Sequence, residues 1–321
     1  MKTLYKSKDL TIAGTTIQPG QNQSLEIEIA RLPSGTLIHM QLHVFRSKKP
    51  GPVVLLSGGL HGDEINGIEI VRRLVHQNTF DELEAGSVIA IPIINVYGFL
   101  QFSREVPDGK DVNRSFPGSA DGSLAALVAH TLTKHILPVI DFGIDFHTGG
   151  ASRSNYPQIR MEPNNILAQR LCTAFAPPLF FESPLIQGSL RDAAASHGKT
   201  ILVYEGGESL RFHESAILEG IKGAKRVLQK YDMISDASQP TEKSVELHHN
   251  QWIRADVSGL FTCNKWHGST VEKDEVLGVI NSPYGNYDVE ILSPIDGVVI
   301  SHNNMPLVHK GDALFQIGRI K

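Results

Sequence analysis

GGLHGDEINGIEIV, residues Gly58 to Val71, follows the apolar run Pro52–Leu56 and leads into an amphipathic pattern that continues through Arg73. Strand, glycine loop and helix start are expected in that order, with His61 and Glu64 at the bend. Imidazole and carboxylate three residues apart within one turn can point at a single ion, and both donors suit Zn²⁺. Glycines at 58, 59 and 62 let the backbone pass close to whatever sits there. Taken alone, HxxE is more often a surface histidine and a first-turn glutamate facing the helix dipole. The rest of the chain decides between the two.

From Val53 the texture alternates. The apolar runs Val53–Leu56, Val88–Ile94, Ile144–Phe146 and Ile201–Val203 have the form of buried strands. Between and after them helices are expected over Asn66–Gln77, Leu124–Ile136, Asn164–Phe175, Ser189–Ser196 and Ser209–Lys230. This predicts an α/β fold, a sheet flanked by helices on both faces. In such sheets sites collect where strands end and loops begin, and the polar residues fall there. His61 and Glu64 follow the first strand. The loop Asn95–Gly118 after the second carries Arg104 and DVNRSFPG (Asp111–Gly118). His147 in DFHTGG follows the third strand, and Glu205 in YEGG the fourth.

His61, Glu64 and His147 together make a set of two imidazoles and one carboxylate. Such a set leaves a fourth zinc position open, as a catalytic site requires. A further carboxylate must take the proton of the attacking water and pass it to a leaving nitrogen. Glu205 is the candidate, with Asp63, Asp145 and Glu208 as competitors; Asp145 alternates with His147 and suits a partner to that ligand. Asn113-Arg114 suits a substrate carboxylate, Arg104 the oxyanion of a tetrahedral intermediate. Arg160 and Arg191 precede the last strand and could reach an acyl group or a second carboxylate.

Residues 1–50 alternate in β fashion, a β-rich lead-in to a catalytic domain over 1–235. Residues 232–250 are polar with turn formers, the composition of a linker. A second, all-β domain is expected over 245–321, with an internal duplication: ADVSGLF (Ala255–Phe261) answers SPIDGVV (Ser293–Val299), and TVEKDEVLGVI (Thr270–Ile280) answers LVHKGDALFQI (Leu307–Ile317). This half resembles the biotinyl/lipoyl barrel-sandwich domains. Its hairpin NSPYGNYD (Asn281–Asp288) holds no lysine, which favours a structural or access-limiting role over a swinging arm. Trp252 and Trp266 read as packing residues, and His302 and His309 as surface residues.

HGDE, DVNRSFPG, DFHTGG and YEGG in that order resemble the succinylglutamate desuccinylase/aspartoacylase family, of the zinc carboxypeptidase-like α/β hydrolases, over roughly residues 50–230. The resemblance implies a zinc-carboxypeptidase-like mixed sheet and one Zn²⁺ per chain on His61, Glu64 and His147. It implies Glu205 as general base and acid, Asn113 and Arg114 binding a substrate carboxylate, and Arg104 polarising the scissile carbonyl. Arg160 and Arg191 both lie where an acyl-side arginine could stand. Family members are often dimers or higher, so a homo-oligomer is compatible with the resemblance.

With 321 residues, 41% hydrophobic and 20% charged, the composition is that of an ordinary globular chain. A net charge of −4 argues against a nucleic-acid partner. Two cysteines, assigned to different domains, argue against a disulfide framework and for a cytoplasmic setting. No secretory signal is visible in MKTLYKSKDL and no apolar run is long enough for a membrane span. The expectation is a zinc-dependent amide hydrolase acting on a small N-acyl amino acid. A carboxypeptidase on short peptides competes with it, as does, from another class, a non-catalytic zinc- or carboxylate-binding protein.

Overall fold

A computed structural model describes residues 9–321; the first eight residues, most of the stretch scanned for a secretory signal, lie outside them. Among the described residues twelve strands form one continuous sheet. Their order is Thr270–Val271, Gly297–Asn303, Ala313–Ile320, Val245–Arg254, Leu179–Glu182, Arg153–Met161, Thr200–Glu208, Phe142–Gly149, Val53–Gly58, Ser87–Ile91, Leu37–Arg46 and Asn22–Arg31. The four apolar runs of the sequence are its centre. Thr200–Glu208, Phe142–Gly149, Val53–Gly58 and Ser87–Ile91 run parallel and are buried almost throughout, because helices cover both faces.

Successive strand residues feed different cores. Leu55, Ile89 and Ile201 pack with the helices Leu124–His135 and Leu190–Ser196. Val54, Leu56, Ile144 and Leu202 pack on the other face with Ile65–His76, Ile166–Phe175 and Glu214–Lys230. Leu37–Arg46 and Asn22–Arg31 add an antiparallel edge, so the β-rich lead-in is part of the same sheet.

Two strands beyond Thr200–Glu208 were not anticipated. Arg153–Met161 pairs with it antiparallel and Leu179–Glu182 follows parallel. Ser154, Asn155 and Gln158 are buried, and with Pro157 they give the first of these strands the composition of a loop. Its position between two neighbours, rather than propensity, makes it a strand.

The segment expected as a linker, 232–250, ends inside a strand: Val245–Arg254 pairs with Leu179–Glu182 on one side and Ala313–Ile320 on the other. Gly297–Asn303 then pairs with both Ala313–Ile320 and Arg153–Met161. Five strands therefore close into a barrel around Leu179, Phe181, Leu247, Val298 and Ile300. The duplication is visible in the pairing. Val245–Arg254 pairs with Ala313–Ile320 as Asp288–Leu292 pairs with Val276–Asn281. Gly259–Cys263 takes Leu307–Val308 as Gly297–Asn303 takes Thr270–Val271.

Two boundaries also moved, and one short helix was added. The strand expected over Val88–Ile94 stops at Ile91, and Asn95 caps a short helix, Val96–Gln101, within the stretch expected as loop. The last long helix starts at Glu214 rather than Ser209, because Leu210 takes a left-handed conformation (φ 57°) and donates its N–H to the Asp63 carbonyl at 2.9 Å.

Candidate active site

The site begins with a close approach of backbones. A Cβ on Gly67, in the first turn of helix Ile65–His76, would collide with the Phe146 carbonyl oxygen. Only glycine allows the helix to start against the end of Phe142–Gly149, which brings the HGDE bend beside His147. Glu64 occupies the helix N-cap but makes no side-chain cap bond. Its carboxylate turns to the histidines instead.

Glu64 Oε1 lies 2.7 Å from His61 Nδ1, and Oε2 lies 2.8 Å from His147 Nδ1. The Thr148 N–H donates to Oε2 at 3.1 Å. The three side chains are 2–4% exposed, and one donor atom from each lies within 4.8 Å of the others. The outer ring nitrogens face carboxylates as well. His147 Nε2 is 2.6 Å from Asp145 Oδ2, whose Oδ1 accepts from Ser57 Oγ at 2.7 Å. His61 Nε2 is 3.4 Å from Asp111 Oδ1. Burial opposes charge on Glu64 and His147, yet their mutual attraction and the carboxylate behind His147 outweigh it. Glu64 is held well below the usual carboxylate range by His61 and His147, and His147 is raised well above an ordinary histidine by Asp145 and Glu64. The pocket between them favours positive charge.

The loop after Ser87–Ile91 brings its cations in. Asn95 Nδ2 donates to the Arg104 carbonyl at 3.2 Å. Arg104 Nε and Nη2 donate to Asp111 Oδ2 at 3.1 and 3.0 Å, and its Nη1 lies 3.4 Å from Glu64 Oε1. Asp111 Oδ1 also accepts from the Asn113 N–H at 2.7 Å. Asn113 Oδ1 in turn accepts from the Leu190 N–H at 2.9 Å, so this loop also fixes the helix that carries Arg191.

Glu205 reaches the cleft from a bulge: pairing on both sides of Thr200–Glu208 shifts register just after it, at Gly207 with φ 81°. Asn155 Nδ2 donates to Glu205 Oε2 at 2.8 Å and Arg160 Nη1 lies 3.2 Å from Oε1. Among the described residues Arg191 donates only to the carbonyls of Ser183 and Pro184, and burial, then Arg160, pushes it down to about 10. Arg153 lies 5.5 Å over the Trp252 ring. Among the described residues Arg114, Arg153 and Arg191 have no carboxylate within ion-pair distance.

All nine residues singled out from the sequence, His61, Glu64, His147, Glu205, Arg104, Asn113, Arg114, Arg160 and Arg191, line one cleft of about 210 Å³. Arg160 stands on Glu205 rather than free for an acyl group. Of the competing carboxylates, Asp145 lies behind His147, while Glu208 accepts from Asn304 and lines a different hollow. Two expectations are corrected. Trp252 lines the cleft, stacked on Arg153, because its strand joins the barrel. His302 is 1% exposed, bonded to the His267 N–H and to Asn304; His309 is exposed as expected. Asn155 and Arg153 were missed, and the buried strand that carries them has no apolar signature.

Residues 50–231 match the Succinylglutamate desuccinylase/Aspartoacylase catalytic domain. The N-alpha-acetyl-L-2,4-diaminobutyric acid deacetylase of Halomonas elongata is 28% identical over 288 residues, 84% of this chain and 83% of that enzyme. The crystal structure of a succinylglutamate desuccinylase/aspartoacylase from Rhodobacter sphaeroides superposes with a TM-score of 0.85 at 26% identity, covering 97% of this chain and 99% of that one. The product-bound ectoine utilization protein EutE (DoeB) from Ruegeria pomeroyi shares the fold, with a TM-score of 0.83 at 24% identity over 93% and 95% of the chains. A domain match over more than half the chain, around a His-Glu-His cluster at the strand ends, makes this protein a member of the succinylglutamate desuccinylase/aspartoacylase family of deacylating hydrolases.

Proposed function

We propose that the protein is a zinc-dependent amide hydrolase of the zinc-carboxypeptidase-like kind that deacylates a small N-acyl amino acid. The observation that carries this reading is the convergence, in one small cleft, of His61, Glu64 and His147 with Glu205 and with three guanidiniums that lack carboxylate partners among the described residues. The donor set fits zinc. Both Nδ1 atoms turn inward to Glu64, Asp145 fixes the outer nitrogen of His147, and the carboxylates that favour an imidazolium there would equally favour a metal cation. Held by His61, Glu64 and His147, the ion would supply Lewis acidity to a carbonyl and acidify water.

The remaining work falls to the chain. Glu205 takes a proton from the attacking water and delivers it to the leaving nitrogen. Arg104, beside Glu64, faces the developing oxyanion. Arg114 grips the amino-acid carboxylate with the amide N–H of Asn113, whose oxygen is already committed to Leu190. Arg191 and Arg153 serve a further polar or anionic group. Trp252, brought by the C-terminal half, narrows the cleft, which fits an access-limiting role for that half and a small substrate over a peptide.

The test is metal analysis together with a hydrolysis screen of N-α-acetyl-L-2,4-diaminobutyrate, N-succinylglutamate, N-acetylaspartate and dipeptides, before and after chelation. Zinc and chelator-sensitive release of a free amino acid from an acyl substrate are expected. Turnover of dipeptides alone would replace the deacylase with a peptidase, and zinc without any turnover would favour a binding protein.

A further inference from the structure

Glu205 is gripped on both oxygens, and the two grips differ in kind. Asn155 and Glu205 are 4% and 8% exposed, and the 2.8 Å bond between Asn155 Nδ2 and Oε2 is buried at the cleft wall. The Asn155 backbone is fixed from both sides, opposite Gly207 in one neighbouring strand and Ser301 in the other. A side-chain amide keeps its N–H donors at any working pH. On Oε1 the partner is Arg160 at 3.2 Å, with a side chain 29% exposed and an Nε that has no hydrogen-bond partner. A long, partly solvated side chain with an unsatisfied donor can change partners; a short amide locked between two strands cannot.

We propose that Asn155 is the positioning residue for the Glu205 carboxylate. It commits Oε2 as a hydrogen-bond acceptor, so that Oε1 is the oxygen that exchanges a proton. Oε1 receives the proton of the attacking water and returns it to the nitrogen as the C–N bond breaks, which regenerates the carboxylate. Arg160 leaves Oε1 when an anionic group of the substrate takes the guanidinium, whereas Asn155 stays. This inference rests on the reading of Glu205 as the proton carrier, and it explains why a buried asparagine stands where the sheet crosses into the barrel.

Asn155→Ala, Asn155→Asp and Glu205→Gln test it in the full-length, metal-loaded protein with N-α-acetyl-L-2,4-diaminobutyrate. Asn155→Ala should lower kcat on the order of 10- to 100-fold, with KM within about twofold and zinc content unchanged. Asn155→Asp keeps the shape but replaces the donor, and should be no more active than Asn155→Ala; a space-filling role predicts the reverse order. A readout independent of turnover is infrared spectroscopy of protein labelled with ¹³C-carboxyl glutamate. The carboxylate band that vanishes in Glu205→Gln should shift in Asn155→Ala. Wild-type kcat in Asn155→Ala, or a band that does not move, would overturn the role of Asn155 while leaving Glu205 in place. Wild-type turnover by Glu205→Gln would remove the proton carrier, and the inference with it.

Discussion

Glu205 and His147 are register partners in adjacent parallel strands, so the proposed proton carrier and a candidate metal ligand are set about 4.8 Å apart at the backbone. Their relation is fixed by the centre of the sheet rather than by a loop. The bulge that follows Glu205 turns its side chain into the cleft without disturbing that register. Glu205→Gln should therefore leave the His61–Glu64–His147 cluster intact. We expect normal zinc content by elemental analysis and a kcat lower by about 10²–10⁴-fold. Loss of zinc in this variant would show that Glu205 belongs to the metal set.

The His61–Glu64–His147 cluster was legible because each of its residues stands in a contiguous motif at the end of an apolar strand, where local sequence and cleft coincide. HGDE, DFHTGG and YEGG need only the parallel order of three strands to meet. Asn155, Arg153 and Trp252 depend on pairings that no local pattern announces. Arg153–Met161 is a strand because Thr200–Glu208 and Gly297–Asn303 flank it, and Trp252 reaches the cleft only once the barrel has closed. Arg160 was legible as a residue near the cleft but not in its ion pair with Glu205, since that distance is set across two strands. The duplication of the C-terminal half was legible because both copies keep their turn spacing. The same half's fusion to the catalytic sheet was hidden by polar residues at 232–244.

The Asp145 carboxylate meets His147 Nε2 at 2.6 Å, a contact that fixes the ring, while Ser57 fixes the carboxylate. Asp145→Asn preserves the shape and removes the charge that orients the imidazole. Zinc affinity should fall by about 10- to 100-fold in a chelator competition, with zinc still bound when supplied in excess. Unchanged affinity would mean that His147 is oriented by packing alone.

Gly67 makes the site depend on a missing methyl group. In an open helix alanine is better than glycine by about 1 kcal/mol, so Gly67→Ala would stabilise the protein if the position were free. Here the Cβ meets the Phe146 carbonyl, and the helix must move away from the strand that carries His147. We expect a loss of about 2–3 kcal/mol in denaturant unfolding together with weaker zinc binding. Gly109→Ala is the control: its Cβ meets nothing, and its φ of 76° costs about 1–2 kcal/mol without changing zinc affinity. A Gly67→Ala variant with normal stability would show that the helix has room to shift.

His302 predicts a pH dependence away from the cleft. Burial, then the neighbouring His267, pushes it down to about 4, with ring centroids 5.2 Å apart. In the unfolded chain a histidine titrates near 6.5, so the unfolded state takes up the proton first. The stability contributed by neutral His302 is complete above about pH 6.5 and is lost as the pH falls from there towards 4. Urea unfolding of the wild type and of His302→Gln, at about pH 7.5 and 4.5, separates this from carboxylate titration common to both. The wild type should lose about 2 kcal/mol more than the variant across that interval. Equal losses would mean that His302 takes up its proton in the folded protein as readily as in the unfolded chain, and that the stacked histidines beside the barrel open to water before the fold does.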